Sequence, residues 1–227
     1  WLIKGRVSVT DGTTLTIPAG TIIKAASGTG ADASTLIVAR GGKMIANGTA
    51  DNPIIMTAAA DNIEVGGTYP ESGPALNVDT RGLWGGLLIL GKAPSSFKSD
   101  VTELQIEGIP TSDVNGLYGG DVTDDNSGSF QYISIRHGGA EIGEGNEING
   151  LTLGGVGTGT STVIISNATN STLIIDVRHS LTYFIYNKGG FFPNIYETGK
   201  FNDNALSSPG FILANIEDKS DPINITL

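Results

Sequence analysis

The stretch GTIIKAASGTGADASTLIVARGGKMIANGTADNPIIMTA, residues 20–58, decides how this chain folds. It holds three short runs rich in β-branched residues: Thr21–Lys24 (TIIK), Thr35–Ala39 (TLIVA) and Pro53–Thr57 (PIIMT). Each has the length of a strand and is too short for a typical helix. Gly41-Gly42 and Asn47-Gly48 lie between the second and the third. Glycine reaches positive φ without a steric penalty and asparagine tolerates it, so these are turns. Ile22-Ile23 and Ile54-Ile55 are apolar on consecutive residues. A strand with one wet face alternates instead. Such pairs fit stacked coils, where one side chain points into the coil and a flanking loop covers its neighbour.

The same grammar extends outward. Thr14–Ile17 (TLTI), Gly86–Leu90 (GLLIL), Phe130–Ile135 (FQYISI) and Gly150–Leu153 (GLTL) are further runs, and Gly138-Gly139 and Gly154-Gly155 are further turns. No stretch shows a 3.6-residue period. A sandwich, a meander and a parallel solenoid all use short strands and tight turns. Low charge and abundant glycine favour the solenoid, although no strict period repeats. All but four of the 33 glycines precede residue 161, and Ser161–Lys188 has neither Gly nor Pro. The expectation is an all-β chain with almost no helix: a solenoid over 1–160 and an antiparallel, strand-rich segment over 161–227, packed on or beside it. Alternation from Leu173 to Ile185 predicts one long strand there.

Four segments carry a family resemblance: residues 20–58, GLWGGLLILGKAPSS (82–96), IEGIP (106–110) and GLYGGDVTDDNSGSFQYISIRHGGAEIGEGNEINGLTLGGVGTGT (116–160). In this order they resemble secreted surface proteins of the Bacteroidota type that fold as right-handed parallel β-helices. The resemblance covers about residues 5–160 and implies a β-helix, but no particular reaction. The acidic block that should follow residue 160 is missing.

Composition narrows the function. The chain has 227 residues and a net charge of −10, with 23 acidic and 13 basic side chains. That argues against nucleic acid and anionic membrane as partners. No apolar run is long enough to span a bilayer as a helix. Cysteine is absent and there are two histidines, so disulfides and thiolate metal sites are excluded. The chain starts at Trp1 rather than Met, as after removal of a leader or in a fragment. The expected location is extracellular or on the cell surface.

Candidate chemistry is sparse. Asp121, Asp124 and Asp125 beside Asn126 and Gly128 offer oxygen ligands to Ca²⁺. The competing reading is a turn whose acids cap backbone donors. No other cofactor is implied. Glu141, Glu144 and Glu147, after Arg136-His137, are the carboxylates an enzyme acting on acidic polysaccharide would use. A structural loop is the plainer account of them. Trp84, Tyr118, Phe191 and Phe192 are either sugar-stacking aromatics or core. Thr13, Thr14 and Thr16 hint at a flat face for glycan or ice. Sequons place possible glycans on Asn47, Asn167, Asn170 and Asn224.

The termini point to self-assembly. Trp1, Leu2 and Ile3 open the chain on an apolar note, and Ile223, Ile225 and Leu227 close it in alternation. An uncapped solenoid end exposes strand edges that another copy can cover, head to tail. The expected function is a non-enzymatic, extracellular structural subunit of a surface fibre or adhesive layer. The alternatives are a carbohydrate-active β-helix enzyme and a glycan-binding adhesin module.

Overall fold

The computed structural model describes residues 1–63, 76, 80–95, 101–143 and 146–160, and the backbone of 175–178, 183–186 and 211–214; for 31, 142, 143, 146 and 147 as well, only the backbone is described. The strands wind in coils. The first coil holds β1 (Leu2–Ile3), β2 (Arg6–Val9) and β3 (Thr14–Ile17). The second holds β4 (Ile22–Ala25), β5 (Thr35–Val38) and β6 (Lys43–Asn47). The third holds β7 (Ile54–Ala58) and β8 (Gly86–Leu90), then an excursion with β9 (Glu103–Gln105) and β10 (Leu117–Gly119), then β11 (Gly128–Gln131). The fourth holds β12 (Ile133–Arg136), the short pair β13 (Glu141–Gly143) and β14 (Asn146–Glu147), and β15 (Leu151–Gly154). Beyond lie β16 (Ile175–Arg178), β17 (Tyr183–Tyr186) and β18 (Phe211–Ala214).

Corresponding strands of successive coils pair in parallel and form three sheets. Sheet I is β1-β4-β7-β12-β16, sheet II is β2-β5-β8-β15-β17 and sheet III is β3-β6-β11. This is an all-β parallel β-helix, as the sequence predicts. Among the described residues the helices are two single 3₁₀ turns, Gly30–Asp32 and Val114–Gly116.

Alternation along each strand builds two cores. In sheet II, Leu36, Leu87 and Leu151 stack in register inside the coil, as do Val38, Ile89 and Leu153. Trp84, Met44 and Phe130 fill the same interior. Small residues make room for large ones: Gly128 lies in register with Met44, and Ala46 with Phe130. The outward neighbours in sheet II, Ile37 and Leu88, are buried too. With Leu90, Ile106, Ile109, Tyr118, Ala140 and Ile148 they form a second core. Ile106, Tyr118 and Ile148 belong to the excursions that fold back over this face. Two buried faces explain the consecutive apolar residues.

The missing period also has an explanation. In sheet III, Thr14 pairs with Lys43, 29 residues on, whereas Met44 pairs with Gly128, 84 residues on. Insertions leave at the corners and the ladder resumes beyond them.

The long strand expected from Leu173 to Ile185 is instead divided. β16 joins sheet I parallel to β12, and β17 joins sheet II parallel to β15, so two ladders run on past residue 160. The alternating pattern is the same in one strand as in two; which sheet each half joins depends on the coil beneath. Antiparallel pairing in this region is seen between β17 and β18. The rest of the segment 161–227 lies outside the described residues.

Candidate functional site

The three sheets treat their outer faces differently. On sheet I, Ile55 and Thr57 are buried, and so are Ser134 and Arg136. On sheet II the outer face carries the second core. On sheet III the outward side chains are Thr14, Thr16, Lys43, Ile45, Asn47, Ser129 and Gln131, all exposed or half-buried. The inward ones are apolar: Ile17, Met44, Ala46 and Phe130 are buried, and Leu15 is half-buried. Register arranges the outer residues in rows across the strands. Thr16, Ile45 and Ser129 form one row, and Asn47 and Gln131 the next. Ser129 Oγ donates to Asn47 Oδ1 at 2.8 Å, which joins the two rows. Thr13 does not belong to this face, because its hydroxyl donates back to the Thr10 carbonyl (2.7 Å). The result is a flat polar patch of hydroxyls and amides with one ammonium group, Lys43.

A corner adjoins it. Tyr132 joins β11 to β12 with φ 47°, and His137 leaves β12 with φ 57°. They are the described non-glycine residues in the left-handed region. His137 has a structural reason for its conformation. It is fully buried, with Nδ1 2.6 Å from the Thr80 carbonyl and Nε2 4.0 Å from Asp61 Oδ2. A carbonyl only accepts, so Nδ1 carries the proton. Asp61 is also fully buried and accepts from Thr57 Oγ1 (2.7 Å) and from the Ile63 amide (3.2 Å). Lys24 Nζ donates to the Asp61 carbonyl at 2.6 Å. Thr57, Asp61 and His137 look like parts of a nucleophilic triad, but no solvent reaches them. Their visible work is to tie the segments around Asp61 and Thr80 to sheet I.

The acids predicted to bind Ca²⁺ do not converge. Asp125 is turned inward, where Ser127 Oγ lies 3.4 Å from its Oδ2, while Asp121 and Asp124 are exposed. Asn126 Oδ1 accepts from the Gly128 amide (2.9 Å), the capping expected of a turn. Among the described residues, no group of three or more His, Asp and Glu side chains is placed to hold a metal. Glu141 is exposed, and the β13–β14 ladder sets residue 141 opposite 147. Glu144 lies outside the described residues.

The aromatic readings divide. Trp84 is 1 % exposed and donates from Nε1 to the Arg136 carbonyl (2.7 Å), and Tyr118 is 5 % exposed in the second core. Neither can stack on a sugar, because burial removes the ring face from any ligand. Phe191 and Phe192 lie outside the described residues. Tyr132, which pattern alone sets in the middle of one strand, instead joins β11 to β12. A signal was present: Phe130 and Ile133, both inward, are three residues apart, an odd spacing that one strand cannot produce.

Of the sequons, Asn47 is exposed on sheet III, and Asn167, Asn170 and Asn224 lie outside the described residues. At the N-terminal edge Trp1 is 88 % and Leu2 65 % exposed, while Ile3 packs partly against the interior core. Ile223, Ile225 and Leu227 lie outside the described residues. No described helix is long and apolar enough to cross a membrane.

Comparison with known proteins agrees with this architecture. No curated protein and no solved structure matches the chain significantly. Residues 1–171 match the family model of the pectate-lyase-like β-helix domain. That match takes in all four described coils, and the chain belongs to the pectate-lyase-like β-helix domain family.

Proposed function

We propose that the chain is a polysaccharide-binding β-helix module that works outside the cell and holds an extended glycan on the outer face of sheet III. The observation that carries this reading is the contrast in cover: sheets I and II bury their outward side chains on β5, β7, β8, β12 and β15, and sheet III leaves its hydroxyls and amides exposed or half-buried along β3, β6 and β11. Those groups donate and accept hydrogen bonds as sugar hydroxyls do. Parallel strands lie ~4.8 Å apart, so a chain laid across them meets Thr16, Ile45 and Ser129 in turn. Lys43 is the one charged residue on the face, and the net charge of −10 repels polyanions, so the glycan is neutral or lightly charged. The expected action is binding without cleavage.

The test is affinity electrophoresis in gels containing hydroxyethyl cellulose, xylan or polygalacturonate. Retardation by a neutral glycan is expected, and its loss on combined Thr14→Ala, Thr16→Ala and Ser129→Ala substitution at unchanged Tm. No retardation by any of the three overturns the reading. Unsaturated products released from polygalacturonate would replace it with a lyase.

Head-to-tail assembly into a fibre or adhesive layer is a second reading. The exposure of Trp1, and of Leu2 on the edge strand β1, favours it. A single monomeric species in sedimentation at high concentration would sink it.

A further inference from the structure

We propose that the groove at the N-terminal edge of sheet I binds a single-chain carboxylate, an aliphatic monoanion whose head is taken by Lys24 and whose tail lies on Trp1, Leu2 and Ile22. The proposal stands apart from the glycan reading, which concerns sheet III. The cover over sheet I fades along one row of its outer face. Register aligns Leu2, Lys24 and Thr57 on β1, β4 and β7. Thr57 is fully buried against Asp61, Lys24 is half-buried and Leu2 is 65 % exposed. In the adjoining row Ile55 is buried and Ile22 half-buried. The segment after β7 thus roofs β7 and stops at β4. It leaves an open groove of about 940 Å³ with apolar walls of Trp1, Leu2, Ile22, Ala59 and Ile63. That volume suits a small molecule. The Trp1 nitrogen donates to the Ile22 carbonyl (2.8 Å), and the Trp1 carbonyl accepts from the Lys24 amide (2.7 Å). Its backbone is therefore fixed, while its indole lines the groove and stays 88 % exposed.

The polar groups of the wall select the ligand's head. The Thr21 hydroxyl is spent on the Pro18 carbonyl (2.6 Å). Lys24 differs. Its Nζ donates to the Asp61 carbonyl (2.6 Å), which uses one of three donors and neutralises no charge. The Asp61 carboxylate is engaged by the Thr57 hydroxyl and the Ile63 amide. Elsewhere on the coils cations meet carboxylates: Arg6 meets Asp113 (3.3 Å), Arg40 meets Glu103 (2.6 Å) and Lys92 meets Asp11 (3.2 Å). A half-buried ammonium between apolar walls, with donors to spare, complements a carboxylate on a hydrocarbon tail. The net charge of −10 disfavours a polyanion. A single carboxylate feels chiefly Lys24, because salt screens charges beyond ~8 Å.

The experiment titrates the protein with decanoate, kept below its micelle concentration, and with decanol, reading tryptophan emission. Trp84 is buried, so Trp1 is the reporter. Decanoate is expected to give a saturable blue shift that Trp1→Ala removes, and to bind roughly tenfold more tightly than decanol. Lys24→Met should weaken decanoate by roughly tenfold and leave decanol unchanged, whereas Lys24→Arg should keep decanoate binding. Leu2→Asp should abolish decanoate binding at an unchanged melting temperature, because the residue is exposed and the new charge repels the ligand. No saturable shift overturns the proposal, and so does equal affinity for decanoate and decanol or parent-like decanoate affinity in Lys24→Met. If Lys24→Met does not fold, Leu2→Asp and the decanol comparison decide. A blue shift that follows protein concentration alone, in step with dimers in sedimentation, would show that a second copy fills the groove, and that also overturns the proposal. Failure of the glycan gels leaves every one of these outcomes unchanged.

Discussion

The outer faces of sheets II and III rise from the same parallel backbone and differ in what projects from it. On sheet II the outward residues Ile37 and Leu88 are aliphatic, and the chain spends two excursions covering them. On sheet III the outward residues Thr14, Thr16, Lys43 and Asn47 are exposed, and Ile45, Ser129 and Gln131 are half-buried. Sequence at alternate positions thus decides which wall of the solenoid is structural and which is a surface. Covering apolar area releases ordered water, about 1.5–3 kcal/mol for a fully buried leucine. Covering threonines and asparagines would require a partner for each polar group.

The sharpest way to break this contrast is Leu88→Ala. It empties a site buried on the outer side of sheet II, and urea unfolding should show a loss of ~2–5 kcal/mol. A loss within ~0.5 kcal/mol, the range of an ordinary surface substitution, would mean the second core is not a core. Next is Asp61→Ala. It strands the Thr57 hydroxyl and the Ile63 amide without their acceptor, at ~1–3 kcal/mol per unpaired group. A melting temperature equal to the parent's would show that the buried cluster does not hold its segment to sheet I. The smallest effect belongs to Thr16→Val on the open face. Stability should stay within ~0.5 kcal/mol of the parent. A large loss there would mean that something covers sheet III after all.

The walls were more legible than their corners. The doubled apolar residues Ile54-Ile55 and the run Leu87–Leu90 announced burial on both sides of a strand, and both cores exist. The corner at Tyr132 was hidden inside FQYISI, because composition alone does not show a change of sheet. Trp84 and Tyr118 were ambiguous for another reason. An aromatic ring serves a core and a sugar equally well, and what decides is whether distant chain folds over it. Tyr118 is buried with Ile37, 81 positions earlier. The approach of His137 to Asp61 depends likewise on coils stacking across an insertion. Local pattern therefore reports which way a side chain points along a strand, and cannot report which loop arrives to meet it.

The unequal spacing between vertical neighbours in sheet III bears on how such a molecule diversifies. Lengthening the connection between adjacent rungs from 29 residues to 84 adds only about 1 kcal/mol of closure entropy, since each doubling adds ~0.6. A frame this indifferent to what is spliced between its rungs lets ornament accumulate at the corners while the stack keeps its geometry, so relatives can differ widely in outline and share the same spine.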